Sequence, residues 1–157
     1  MSESSLNQSE QAREAERAVL GGLMLETHRF DTVIQVIKEN DFDGKDHQII
    51  FQSMSELVEE NKPLDPLTVS EKLDNKNSLN KIGGKDYLIS LATETPTAAN
   101  LEAYAEIIRQ RSVARQLMKA NSEIAELINN PQGMDGFSLL DEACLLYTSP
   151  SPRDSLS

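Results

Sequence analysis

One cysteine, no tryptophan, six prolines and seven glycines are found among 157 residues. A single cysteine permits no internal disulfide, and a reducing, cytoplasmic setting fits that usage. Aromatic residues make up only 4% of the chain, so aliphatic side chains must fill any core. The same scarcity disfavours a stacking platform for single-stranded nucleic acid. No run of about 18 apolar residues occurs, which is what a membrane-spanning helix requires. The opening MSESSLNQSEQAREAE has no apolar stretch of the kind a secretory signal carries.

Positive charge is also in short supply. The formal net charge is −11, from 26 acidic and 15 basic side chains. A surface this acidic repels phosphates as a whole, which argues against non-specific binding of DNA. Reactive patterns are missing as well. Gly83-Gly84-Lys85-Asp86 contains Gly-Lys but lacks the G-x-x-x-x-G-K-[ST] spacing that wraps a phosphate, and reads as a turn. His28 and His47 have neither an HExxH setting nor a cysteine partner, and read as surface or helix-end residues. There is no G-x-S-x-G elbow. The carboxylates Glu14, Glu16, Glu56, Glu59, Glu60, Glu123 and Glu126 read as solvated helix faces, with no pair singled out for acid–base work. No catalytic, cofactor-binding or metal-ligating residue is therefore assigned.

Helical periodicity is abundant. Residues 1–10 are polar and read as disordered. Beyond them, Ala15, Ala18, Val19, Gly22 and Leu23 share one face, with Gly21 and Gly22 marking a close approach between helices. Phe30, Val33, Ile34 and Ile37 make a second stripe, and Ile50, Met54, Leu57 and Val58 a third. LDPLTVSEKL reads as a short helix with Asp65 as N-cap and Pro66 at its first position. NKNSLNKIGGKD reads as a loop and YLISLATET as a further helix, broken by Pro96.

The longest periodic segment follows, with Leu101, Tyr104, Ala105 and Ile108 continued by Leu117, Ala120, Ile124, Leu127 and Ile128. A helix of about 30 residues runs about 45 Å, long enough to project from a small head. NNPQGMDG closes it, and FSLLDEA opens another helix with Ser138 as a possible cap. The prediction is all-α: a globular multi-helix head over residues 11–96, then a protruding helical hairpin over 97–143 with an incomplete second arm. Arg109, Arg111, Arg115 and Lys119 give the long helix a basic character. Arg111, Arg115 and Lys119 fall on one stripe by their i, i+4, i+8 spacing. Such a stripe is either solvated or docks an acidic or phosphate-bearing partner.

The ordered series of short motifs resembles the N-terminal domain of bacterial replicative DNA helicases, the DnaB family. The residues concerned are Glu14-Ala15-Glu16, Val19-Leu20-Gly21, Asp41-Phe42 and H-x-x-I-F at His47 to Phe51. They continue with P-x-D-x-x-T at Pro63 to Thr68, GG-x-x-Y-L at Gly83 to Leu88 and T-P-x-A-A-N at Thr95 to Asn100. Y-A-x-I-[IV]-R at Tyr104 to Arg109, Arg115 to Leu117, and PQG at Pro131 to Gly133 complete the series. It covers about Arg13 to Ala143. The chain departs from the pattern at Gln11-Ala12-Arg13, where the family often has prolines, and at Pro66, where it usually has an apolar residue.

The resemblance implies a non-catalytic collar domain. Such domains pair through heads and hairpins on a hexameric ring and bind primase, with a helicase loader as a further candidate partner. ATP, Mg2+, DNA binding and unwinding would belong to a RecA-like domain outside these residues, so this stretch alone is expected to be inactive. The partner surface is expected on the long helix, at Tyr104, Ile108, Arg109, Arg111, Arg115 and Lys119. The alternative is a free-standing helical adaptor that binds a replication protein. Finally, CLLYTSPSPRD from Cys144 to Asp154 reads codon by codon as a transposase adapter used in sequencing libraries. Residues 144–157 are accordingly expected to be non-native, with a genuine Ser/Pro tail as the other reading. The shortened second arm is expected to leave part of the Leu117–Ile128 stripe exposed.

Overall fold

A computed structural model describes residues 3–95 and 97–148. Seven α-helices occur among the described residues: α1 Glu3–Leu25, α2 Phe30–Val33, α3 Lys45–Glu59, α4 Pro66–Asn75, α5 Gly84–Glu94, α6 Leu101–Asn129 and α7 Gly136–Thr148. Short 3-10 turns stand at Thr27–Arg29, Glu39–Asp41 and Leu79–Ile82. No strand occurs among the described residues. The chain divides into two compact units, Met1–Ser112 and Val113–Ser157. The boundary falls inside α6, later than the break at Pro96, because Leu101, Ala105, Ile108 and Ser112 are buried in the first unit.

In the first unit the apolar stripes converge. Val19, Leu20 and Leu23 of α1 join Ile50, Phe51, Met54 and Leu57 of α3, Val69 and Leu73 of α4, and Leu88 and Leu91 of α5 in one core. Phe51 anchors the aromatic part, 5.4 Å from Phe30 and 5.0 Å from Phe42 between ring centroids. The α1 glycines allow the close approach expected of them. A Cβ at Gly21 would collide with Leu91 O and the Thr95 side chain of the α5 end. One at Gly22 would sit 2.5 Å from Leu101 Cδ2. Asp65 caps α4 as predicted: Thr68 N donates to Asp65 Oδ1 at 3.0 Å, with Pro66 in the first turn.

Four expectations need correction. The helix α1 reaches back to Glu3, so the residues from Glu3 to Glu10 are helical and not disordered. Their Glu and Gln residues are good helix formers, and Arg111 Nη1 donates to Gln8 Oε1 at 3.2 Å. The second stripe is not one helix. After Val33 the chain tightens, with Gln35 N bonded to Thr32 O and Val36 N to Val33 O. A β-branched run with poor helix propensity suits such a turn, which keeps Phe30, Val33 and Ile37 buried but leaves Ile34 exposed. The loop read at residues 75–86 holds the 3-10 turn and the start of α5. Gly83 and Gly84 take positive φ values of 99° and 78° to make the corner.

The fourth correction lies in the second unit. The cap of α7 is Asp135, whose Oδ1 accepts from Ser138 N at 2.8 Å, so Ser138 is the capped residue. That bond holds the Asp135 carboxyl below its usual range. The helix α7 continues through Cys144 to Thr148, the first part of the stretch read as adapter-derived. The remainder, residues 149–157, lies outside the described residues.

Candidate functional site

Three features of the structure bear on function: a buried polar network, the surface of α6, and an exposed apolar face on the second unit.

The network occupies the first unit. Glu16 of α1 and His47 of α3 were expected on solvated faces or at the surface, yet both are buried. His47 enters the first turn of α3, and that turn is pulled against α1 by the core stripe Ile50–Met54–Leu57. The result is that His47 Nδ1 lies 2.6 Å from Glu16 Oε1. Its other nitrogen, Nε2, lies 2.6 Å from the Tyr87 hydroxyl of α5. Glu16 also accepts from Asp43 N at 2.7 Å and Gly44 N at 3.4 Å. Both oxygens of this buried carboxyl therefore have hydrogen-bond partners.

At the outer edge, Arg13 grips Asp46 with two bonds, at 2.8 and 3.2 Å, and donates to the Tyr87 oxygen at 3.4 Å. Partial burial pushes the Asp46 carboxyl up. The Arg13 bond, the His47 N–H and the Arg13 charge outweigh it and hold Asp46 below the usual carboxylate range. Burial pushes the Tyr87 phenol up, so it stays protonated at neutral pH. The network joins α1, α3 and α5, and its members are the motif residues Glu16, His47 and Tyr87 with their neighbours. Catalysis is a poor fit, since His47 is fully enclosed.

A second buried carboxylate, Asp41, sits at the motif position Asp41-Phe42. It accepts from Lys38 N at 2.8 Å, from Ser112 Oγ at 2.7 Å and from Arg109 Nη1 at 3.4 Å.

The residues predicted on the α6 surface therefore divide. Ile108 is buried in the core of the first unit, and Arg109 is turned onto Asp41. Tyr104 and Arg111, both half-buried, line a groove of about 850 Å³ between α1, the end of α5 and α6. Its floor is small and apolar (Ala15, Ala18, Leu91), and Arg17 and Glu94 form an ion pair at its side. Arg115, half-buried, and Lys119, exposed, belong to the second unit. Among the described residues no cluster of His, Cys, Asp or Glu could hold a metal ion, and no helix is long and apolar enough to cross a membrane.

Sequence reasoning missed the exposed apolar side chains that α7 adds to the second unit. Phe137 is 83% exposed, Met118 71% and Ile128 62%, and Leu117, Leu140, Leu145 and Tyr147 are half or more exposed. Of these, Leu145 and Tyr147 belong to the stretch read as adapter-derived, and the others lie before it.

Comparison with known proteins agrees with the architecture. Residues 8–110 match the family model described as the DnaB-like helicase N terminal domain, a span inside the first unit. The replicative DNA helicase DnaB of Buchnera aphidicola subsp. Baizongia pistaciae is 39% identical over 130 residues, covering 83% of this chain. That of Haemophilus influenzae is 37% identical over 130 residues. The chain spans 28% of the length of each of these relatives. The crystal structure of the N-terminal domain of DnaB helicase from Mycobacterium tuberculosis superposes with a TM-score of 0.82 at 30% identity, covering 87% of this chain and 95% of that one. The N-terminal domain of DnaB helicase from Helicobacter pylori, described with its interactions with primase, gives 0.68 at 26% identity, covering 82% and 99%. With the helix order, the motif residues and the family model in agreement, this chain belongs to the DnaB-like helicase N-terminal domain family.

Proposed function

We propose that these residues form the N-terminal interaction domain of an ATP-dependent replicative DNA helicase, which works in the cytoplasm at the replication fork. The domain docks primase and pairs with further copies of itself in a hexameric collar, and a helicase loader is a further partner. The observation that carries this reading is the exposure of large apolar side chains in the second unit, Met118, Ile128, Phe137 and Leu140 among them. Side chains of this size left in water stabilise an assembly by roughly 25 cal/mol for each Å² covered. Arg111, Arg115 and Lys119 supply charge for an acidic partner, and Tyr104 adds an amphipathic ring. Ile108 and Arg109 support α6 from beneath.

ATP and Mg2+ would act in the remainder of a protein as long as its relatives, of whose length this chain spans 28%. The polypeptide alone is expected to hydrolyse no ATP.

Two measurements test the reading. Light scattering of the purified chain should show dimers or larger species, and Met118→Lys with Leu140→Lys should shift them to monomer. Addition of purified primase should give a complex that Lys119→Glu weakens. A monomeric chain without affinity for primase would overturn the reading. Sequencing the source locus across the Ala143 codon separates the alternatives. A frame that continues into a phosphate-loop domain supports the helicase, and a stop after Ser157 makes the chain a free-standing adaptor.

A further inference from the structure

The polar network of the first unit has a direction. Arg13 N–H can only donate, so at the Tyr87 oxygen it takes an acceptor site. Glu16, whose oxygens already accept from Asp43 N and Gly44 N, must accept from His47 Nδ1 as well. The chain closes with every group satisfied in one arrangement. Arg13 donates to Tyr87 O, the Tyr87 hydroxyl donates to His47 Nε2, and His47 Nδ1–H donates to Glu16 Oε1. In that arrangement the imidazole is neutral. An imidazolium would instead donate from Nε2. Two cationic donors would then converge on one phenol oxygen, and the Tyr87 proton would have to turn away from His47, toward solvent at the outer edge.

We propose that Arg13, Tyr87, His47 and Glu16 form a one-way hydrogen-bond chain that latches α1 onto α3 and α5, and that a proton taken up at His47 reverses Tyr87 and loosens the latch. The groups facing His47 are Glu16 and Arg13 from α1, Asp46 beside it in α3, and Tyr87 from α5; the edge of Phe42 covers the remaining side, its ring centroid 6.4 Å away. The device therefore couples a single proton to the joint that also brings Gly21 against the end of α5. Loosening of that joint opens the same α1–α5 edge that lines the groove beside Tyr104.

Nitrogen-15 spectra of the full 157-residue chain read the ring directly. At neutral pH the expected result is the Nδ1–H tautomer of His47. On acidification, the α1 amides from Arg17 to Leu23 should lose protection several-fold, measured against the intrinsic exchange rate at each pH, in step with the His47 ring resonances. In Tyr87→Phe the exchange should be faster already at neutral pH and should not respond further when His47 protonates. An Nε2–H tautomer or an imidazolium at neutral pH would overturn the proposal. So would exchange that follows Asp46 or Glu16 and not His47. If Tyr87→Phe proves too unstable, His47→Gln serves as the second variant. It keeps hydrogen-bonding groups but cannot take up the proton, so the protection of its α1 amides, corrected for intrinsic exchange, should not change with acid.

Discussion

Ser112 Oγ donates to Asp41 Oδ1 across 2.7 Å, and both side chains are buried. The bond ties the turn at Glu39–Asp41 to the last residue of the first unit. Its removal should be felt unequally from the two ends. Ser112→Ala removes one donor from a carboxylate that keeps Lys38 N and Arg109, and should cost about 1–2 kcal/mol. Asp41→Ala leaves all three donors without their acceptor and should cost about 3–5 kcal/mol, as expected when one side of a buried ionic network is removed. Urea unfolding with an unchanged slope would measure both. Equal losses would mean that Asp41 is satisfied mainly through Ser112.

The glycines of α1 make a second test. Gly21→Ala places a methyl against Leu91 O and Thr95, where backbone cannot yield easily. The expected loss is about 1–3 kcal/mol despite the better helix propensity of alanine. Gly136→Ala, at the start of α7, meets nothing within 4 Å and should be neutral or slightly stabilising. A thermal melt of the two variants side by side checks the contrast.

Asp46 makes stability depend on pH with a definite sign. Its carboxyl is held below the usual range in the folded chain, so the unfolded chain binds a proton more readily. The stability it contributes is present above the unfolded value and is lost as pH falls through the folded one. Arg13 is 46% exposed, so the Arg13–Asp46 pair is screened and its share is small. Asp46→Asn should flatten the acid side of the stability profile and leave it nearly unchanged above neutrality. Unfolding midpoints between acid and neutral pH would show a parallel profile if Asp46 had no part.

Much of the helical plan could be read from periodicity alone. Val19 and Leu23, Ile50, Met54 and Leu57, and Leu101, Ala105 and Ile108 each recur at helical spacing because one face of each helix meets the core. Asp65 was legible for a local reason, since a cap and the Pro after it are neighbours in sequence. The network was not, because Arg13, Glu16, His47 and Tyr87 come from three helices and no local spacing relates them. The nearest signal was coincidence of position, with Glu16, His47 and Tyr87 all standing in the motifs that carry the family resemblance. The contact of Arg109 with Asp41 was hidden for the same reason. A cation on a long helix reads as exposed until the partner carboxylate, Asp41, is placed beside it from 68 residues away.

Capping of α4 gives a prediction confined to one turn. Burial opposes ionisation of Asp65, but the Thr68 N–H and hydroxyl hold its carboxyl below the usual range. Asp65→Ala removes both bonds and should cost about 1 kcal/mol. Asp65→Asn keeps an acceptor and should lose less than half of that. Amide exchange at Thr68 and Val69 should rise in the alanine variant while α3 is unaffected. A loss spread evenly over the first unit would show that the cap matters to more than α4.

The Ser53 hydroxyl is buried in α3 without a hydrogen-bond partner. A polar group taken out of water in that state destabilises the fold by about 1–3 kcal/mol. Ser53→Ala removes the hydroxyl, keeps the Cβ that packs in the core and improves helix propensity. The variant should therefore be more stable than the parent by about 1 kcal/mol, visible as a higher unfolding midpoint. Ser53→Val tests whether space accompanies the missing partner. If a void surrounds the hydroxyl, the extra methyl fills it and stability rises further, whereas a tightly packed site makes valine worse than alanine through strain in the helix. A loss of stability in Ser53→Ala would show that the hydroxyl is in fact bonded, to a buried water shared with the backbone of α3.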